Sequence, residues 1–241
     1  MPSAFSLNIS GYDTRHGKWQ DRIGQVRAAI DHLDADVVVL QGVAYDRRIN
    51  IKNQAEQLAE ILTDYSFSHY EPMSTTGGVT ESLAVLSKVA PSDVFVHRLS
   101  RRPEVTDTDR VLMHAAFSFA DGRAFNVFNV NLSPVYEQAF DNIRDLMLYV
   151  NAFELPGLII GDFNRPHNSP LMANMREGGW SDAYTTLLPN DDGYTFESPN
   201  PTVRRTQAWV KGIEPKKARV IMSETNDIRM SGHRGLYISW E

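Results

Sequence analysis

Apolar residues recur along this chain in two periods, and the switches between them lay out its elements. Phe5, Leu7 and Ile9 alternate with Ser6 and Asn8, the period of a strand, and Gly11, Asp13 and Gly17 then mark a loop. From Trp19 the spacing lengthens. Ile23, Val26, Ile30 and Leu33 fall at three- and four-residue steps, with Asp21 in the first turn, which predicts a helix. Asp36 to Gln41 is a continuous apolar run of the kind covered on both faces, and Asn53 to Leu62 returns to helical spacing, with Asn50 or Asn53 as its cap. Strands are expected at Ser82 to Ser87, Asp93 to Leu99 and Val111 to Ala120, and Asp121-Gly122 predicts a hairpin turn into the alternating segment Ala124 to Asn131. Val135 to Ala152 reads as a helix with Phe140, Ile143, Leu146, Met147 and Val150 on one stripe. After the buried run at Leu158 come a loop with Pro166 and Pro170 and a short helix near Leu171 to Glu177. Further strands are expected around Thr195, Gln207 and Arg219, and a last one from Leu236 to Trp240.

Strands that alternate with helices in the first half and join by hairpins in the middle imply mixed sheets. Two such sheets packed face to face, with helices on their outer faces, satisfy the burial demand of so many apolar strands. The two halves share a loose strand–helix–strand order without a short internal repeat. No Pro/Gly/Ser-rich linker divides the 241 residues, so one domain over 1–241 is expected.

Composition narrows the chemistry. The absence of cysteine excludes disulfides, thiolate catalysis and Cys-ligated zinc, and suits a reducing compartment. The N-terminus carries neither a basic leader nor a continuous apolar core, and no stretch is long enough to span a bilayer, so a cytoplasmic protein is expected. A net charge of −6 opposes binding of a polyanion over the whole surface. A local patch could still serve nucleic acid: Arg204, Arg205, Lys211, Lys216, Lys217 and Arg219 face Glu214 alone between Arg204 and Arg219. Trp19, Trp209 and Trp240 read as core residues, and His16, His69, His97 and His114 lack metal-ligand spacing and receive no role.

The candidate chemistry sits at Leu158-Ile159-Ile160-Gly161-Asp162-Phe163-Asn164, a buried-strand run that puts an acid and an amide at a strand tip, with Gly161 letting the backbone turn. Alone, it reads equally as a strand-to-turn junction. Other landmarks stand around it in a definite order: Leu7-Asn8-Ile9, Trp19-Gln20-Asp21-Arg22-Ile23, Asp36 to Gln41, Ser82 to Lys88 and Ser231-Gly232-His233-Arg234-Gly235-Leu236. In this order and spacing, over nearly the whole length, the chain resembles the endonuclease/exonuclease/phosphatase superfamily.

That resemblance implies an α/β fold of the DNase I-like kind, a four-layer α/β/β/α sandwich of two packed mixed β-sheets. It implies hydrolysis of a phosphoester by an in-line water, with Mg²⁺ or Mn²⁺ offsetting charge on the phosphoryl oxygens. By the same resemblance Asn8 stands at the metal-binding end of the first strand, Asp162 orients the water or neighbours the metal, Asn164 donates to the phosphate and His233 contacts it. The departures are equally specific. Gly42 replaces the Glu that is the principal metal ligand, and Asn131 replaces the histidine of Thr-His-Leu. Gly232 replaces the Asp of Ser-Asp-His, and Gln207 falls where an Asp supports a histidine. With Asp162 the one survivor of three acids, metal binding is expected to be weak or absent and activity weak or lost. Three readings stay open: a hydrolase whose ligands are rebuilt from Tyr45, Asp46, Glu81 or Asp227, with Glu81 foremost; a binding module recognising a phosphorylated ligand or a protein partner in the same cleft; and an inactive scaffold.

Overall fold

The computed structural model describes residues 1–119, 122–154 and 156–241. In the first half, β1 (Ser3–Asn8), α1 (Trp19–Leu33) and β2 (Val37–Tyr45) are followed by α2 (Gln54–Ala59), β3 (Phe67–Thr76) and β4 (Val79–Ser87). Then come β5 (Asp93–Arg98), β6 (Val111–Ser118), β7 (Ala124–Asn131), α3 (Tyr136–Val150) and β8 (Gly157–Asp162). A 3₁₀ turn at Pro170–Met172 leads into α4 (Ala173–Glu177), β9 (Ser181–Asp182) and α5 (Ala183–Leu187). The chain closes with β10 (Thr206–Lys211), β11 (Pro215–Ile221), β12 (Glu224–Thr225), β13 (Ile228–Arg229) and β14 (Gly235–Trp240).

Two six-stranded mixed sheets result, ordered β11-β14-β1-β2-β4-β3 and β5-β6-β7-β8-β10-β9. Each has one parallel pair at its centre, β1 with β2 and β7 with β8, and each pair is joined through a helix, α1 or α3. The two crossovers are the shared strand–helix–strand order visible in the sequence. Alternate residues of each central strand serve different layers. Val37 and Val39 of β2 and Leu158 and Ile160 of β8 meet between the sheets, together with Leu83, Val85, Leu236 and Ile238. Val38 and Leu40 pack instead under α1 and α2, and Ile159 packs under α3. Coverage on both faces is what the continuous apolar runs require.

Several boundaries differ from the sequence expectation. Asn53 is the cap of α2, its side chain accepting from Glu56 N at 2.9 Å, but the helix stops at Ala59. The stripe of α3 runs through Ala139, Ile143, Leu146 and Val150, which leaves Phe140 outside it and 42% exposed. β3 lacks a clear apolar alternation and was not anticipated; it forms by pairing along the edge of β4. No strand forms at Thr195, since Phe196 makes isolated bridges only, to Val203 and His233. Asp121 of the expected hairpin turn, and Ala120 at the end of the preceding strand, lie outside the described residues. Trp19, Trp209 and Trp240 are buried, as expected.

Candidate functional site

The parity that fills the core also builds the site. The inward-facing series Ala4, Ser6, Asn8 on β1 and Val37, Val39, Gln41 on β2 turn polar at the same end, as do Val127, Asn129, Asn131 on β7 and Leu158, Ile160, Asp162 on β8. Glu81 is the last member of the matching series on β4, after Val85 and Leu83. Side by side in register, Asn8 opposes Gln41 and Asn131 opposes Asp162. The polar ladder starts within the sandwich: Gln41 Nε2 donates to Asn129 Oδ1 at 2.7 Å, and Asn129 Nδ2 donates to the carbonyls of Leu40 and Ala84 beside the bulge in β2.

At the mouth, the six residues singled out from the sequence come together. Asp162, fully buried, accepts from Asn8 Nδ2 at 2.8 Å through Oδ2 and from Asn164 N at 2.9 Å through Oδ1. His233 Nδ1 stands 3.7 Å from Asp162 Oδ2 and makes no hydrogen bond, while its ring lies against Phe196 with centroids 4.6 Å apart. Burial pushes the His233 imidazole below its ordinary value, against the pull of Asp162, so the ring is held neutral. Asn164 sits at φ 51°, a left-handed conformation that Asn tolerates, and donates through Nδ2 to Asn131 Oδ1 at 3.2 Å and to Leu132 O at 2.9 Å. Asn131 in turn donates to Glu81 Oε1 at 3.0 Å. Burial raises the Glu81 carboxyl and nearby Arg110, itself ion-paired to Asp107 at 2.6 Å, opposes that rise.

Two substituted positions are filled rather than empty. Gly42 adopts φ 60° in the β2 bulge, and a Cβ there would overlap Asn8 Oδ1. A Cβ on Gly232 would come within 2.6 Å of His16 Nε2. His16, given no role from the sequence, is therefore part of the site wall; it is buried, its ring nitrogens lack partners, and burial lowers its basicity. The sequence held one signal of this, the loop glycines that bring the segment after β1 back across the strand end.

Arg22 was also missed, although it lies in a quoted landmark. It is fully buried and donates to four carbonyls: Ile9 at 2.8 Å, Gly11 at 2.6 Å, Gly17 at 3.0 Å and Met230 at 3.0 Å. Burial lowers it to about 10, which leaves it cationic at neutral pH. It fixes the loop that carries Ser10 and His16 against the segment that carries Ser231, whose hydroxyl donates to Asn8 O at 2.5 Å.

Two further expectations, those for Gly161 and for the Arg204–Arg219 segment, need correction, and the structure also places the departure at Gln207. Gly161 does not turn the chain: at φ 155° it lies within β8, and a Cβ there would run into the Val130 carbonyl, so the glycine allows β7 and β8 to approach. Gln207 does not support a histidine, because its amide donates to the Arg165 carbonyl at 2.7 Å and accepts from Trp209 Nε1 at 3.0 Å. The Arg204–Arg219 segment is not one basic face. Arg204 is 1% exposed and ion-paired to Asp182 at 2.6 Å, Lys216 pairs with Glu214 and Glu241, and β10 and β11 belong to different sheets. Among Tyr45, Asp46 and Asp227, Asp46 is committed to Arg48 at 2.7 Å.

The donor set is a poor fit for Mg²⁺ or Mn²⁺. A hard divalent ion needs converging oxygens, yet both oxygens of Asp162 already accept from N–H groups, the Asn8 Nδ2 group faces that carboxylate, and Glu81 is turned onto Asn131. Among the described residues no three His, Asp or Glu side chains converge on a metal position. A cavity of about 890 Å³ lies along the 190–202 loop, lined also by Tyr184, Val220 and Arg234, and holds none of the six site residues.

The sequence profile of the Endonuclease/Exonuclease/phosphatase family matches residues 5–210. The chain belongs to this family. No curated protein sequence matches it. Among solved structures, the fold is shared with an endonuclease/exonuclease/phosphatase family protein of Leptotrichia buccalis, at 19% identity and TM-score 0.80 over 100% of both chains. The mannosyl-6-phosphatase of Bacteroides thetaiotaomicron is similar at 16% identity and TM-score 0.78, again over 100% of both chains. The catalytic domain of human Nocturnin with a bound sulfate anion is similar at 17% identity and TM-score 0.76, over 100% of this chain and 94% of that one. At these identities the structures show the fold, the DNase I-like sandwich of two mixed sheets, and the family membership rests on the sequence profile. Among the described residues no helix is long and apolar enough to cross a membrane.

Proposed function

We propose that this family member acts as one cytoplasmic domain over residues 1–241 and uses the cleft at Asn164 and His233 to recognise a phosphorylated ligand. Metal-assisted phosphoester hydrolysis is weak or lost. The observation that carries this reading is the Asn8 side chain: its Nδ2 donates into Asp162 and its Oδ1 lies where a Cβ on Gly42 would be, so Asp162 is held by an amide and position 42 has no room for a carboxylate side chain. Asp162 is then the acceptor at the centre of an internal network, and the groups left to meet a ligand are donors. The neutral His233 ring and the Arg205 guanidinium, 3.4 Å from Asn164 Oδ1, suit a tetrahedral anion, and Asn164 Nδ2 joins them where the ligand replaces its 3.2 Å bond to Asn131 Oδ1. Support also comes from two structural neighbours, of which one is a phosphatase and another holds a sulfate.

The reading is tested with bis-p-nitrophenyl phosphate and plasmid DNA in Mg²⁺ and in Mn²⁺, alongside Asp162→Asn. Background rates that the substitution does not change are expected, together with a melting point raised by inorganic phosphate through mass action. Robust turnover abolished by Asp162→Asn would overturn the loss of hydrolysis, and a melting point indifferent to phosphate would overturn the recognition.

A further inference from the structure

Arg165 and Arg205 stand together at one edge of the cleft, and neither has a carboxylate within ion-pair distance among the described residues. Arg15, Arg48, Arg102, Arg110 and Arg204 each hold an acid; Arg22 instead donates to four carbonyls, and what sets Arg165 and Arg205 apart is their place at the cleft. The pair is fixed by backbone. Phe163 N donates to the Arg205 carbonyl at 2.9 Å, and Gln207 Nε2 donates to the Arg165 carbonyl at 2.7 Å. The Arg205 guanidinium lies 3.8 Å from the Phe196 ring centroid and reaches Asn164 Oδ1 at 3.4 Å. The Arg165 guanidinium lies 5.6 Å from the Tyr136 ring centroid and donates to the Pro134 carbonyl, and its Nε is buried without a partner.

Two aromatic faces thus hold two planar cations beside the amide of Asn164. Burial lowers the basicity of Arg165, and the nearby charge of Arg205 acts in the same direction. In a chain of net charge −6, with 30 acids to 24 bases, such a pair beside a cleft is not a by-product of general basicity. An anion between the guanidiniums offsets their like charges, and their forked donors suit phosphoryl oxygens better than a point charge would.

We infer that Arg165 and Arg205 hold a second phosphoryl group, linked to the one that meets Asn164 and His233, so that the preferred ligand is a diphosphate ester. The inference rests on the phosphate-recognition reading given above. Arg205 donates to Asn164 Oδ1 and Arg165 follows Asn164 in the chain, so the second subsite adjoins the first, as consecutive phosphates do. The net negative charge favours such a small ligand over a long polyanion.

The test is calorimetric titration of the intact protein with inorganic phosphate, pyrophosphate, AMP and ADP at one ionic strength. Pyrophosphate is expected to bind at least about tenfold tighter than phosphate, and ADP than AMP by a similar factor; a gain for ADP over pyrophosphate assigns part of the affinity to the nucleoside. Arg165→Gln should cut the diphosphate advantage while phosphate binds as before. Arg205 also serves the inner phosphate, so Arg205→Gln should weaken phosphate as well as diphosphate, and the double variant should abolish the diphosphate advantage. Arg219→Gln, on the exposed face of β11, should leave it intact. Because Arg205 packs on Phe196, Arg205→Lys is included: it keeps charge and packing length but loses the fork, and a partial loss is expected. Equal affinity for phosphate and pyrophosphate, or an advantage that survives in the double variant, overturns the second subsite while leaving phosphate recognition standing. Absence of binding by all four compounds overturns both.

Discussion

Asn8-Ile9-Ser10 at the end of β1 and Asp162-Phe163-Asn164 at the end of β8 make the same turn. In each, the first side chain accepts from the backbone N–H two residues on, at 3.0 Å and 2.9 Å, and the third residue is left-handed, with φ 57° at Ser10 and 51° at Asn164. In each, the middle residue, Ile9 or Phe163, is fully buried. Their equipment differs. The β1 end directs its polar atoms inward, with Asn8 on Asp162 and the Ser10 hydroxyl 2.8 Å from that of Ser231. The β8 end also spends its Nδ2 inside, on Asn131 and Leu132, but its Oδ1 accepts from the Arg205 guanidinium at the cleft. The comparison teaches that a strand-end turn needs only an acceptor and a residue tolerant of positive φ, so the same turn can carry different side-chain chemistry. At the β1 end Asn8 Oδ1 lies against Gly42 and His16 Nε2 against Gly232, which leaves no room for a Cβ at either glycine.

The largest expected effect bears on the frame that both ends share. Gly161→Ala drives a Cβ into the Val130 carbonyl in the parallel β7–β8 pair, and a loss of roughly 3–5 kcal/mol in urea unfolding is expected. A loss below about 1 kcal/mol would mean that the two strands separate easily, and that the register of Asn131 with Asp162 is not enforced there.

Next in size is the attempt to make the β1 end like its relatives. Gly42→Glu places a side chain at φ 60° against Asn8 Oδ1, and should cost roughly 2–4 kcal/mol by the same measurement without gaining Mn²⁺-dependent turnover of bis-p-nitrophenyl phosphate. A stable variant with such turnover would show that the β1 end remains a metal site lacking one ligand.

The smallest effect is a pH slope. Burial depresses His16 and His233 in the folded state below the ordinary imidazole value of about 6.5. Above that value neither folded nor unfolded chain takes up the proton, and the stabilisation is complete. As pH falls below it, the unfolded chain binds protons that the folded one refuses, so stability drops by at most about 1.4 kcal/mol per pH unit for each histidine. His16→Asn should flatten this slope by one histidine's share in melting curves taken at successive pH values. An unchanged slope would mean that His16 protonates as readily in the folded state as in the unfolded one.

Much of this was legible in the sequence. The apolar runs at β2 and β8 gave their double burial, the Asn53 cap gave the start of α2, and the ordered landmarks pointed to the family and to the six residues that meet at the mouth. What could not be read was direction. Nothing in the spacing says that Asn8 turns its amide into Asp162, that Gln207 faces Trp209, or that Arg204 is buried on Asp182 while adjacent Arg205 faces the cleft. These follow from strand parity and from packing across the sheets, which join residues as far apart as Asn8 and Asp162. The absence of a side chain at Gly42 and Gly232 was visible; the close approach of Asn8 and His16 to those glycines was not, because contacts between loops leave no local pattern.

The proposed function turns on the Asn8–Asp162 hydrogen bond, which holds the carboxylate with an amide N–H in place of a cation. Calorimetric titration of the protein with Mn²⁺, repeated with Asp162→Asn, tests it most directly, because that variant keeps the volume and an acceptor oxygen for Asn8 while removing the charge. No saturable Mn²⁺ binding at millimolar concentration, in either protein, is the expected result. Saturable binding by the native chain that disappears in the variant would contradict the account.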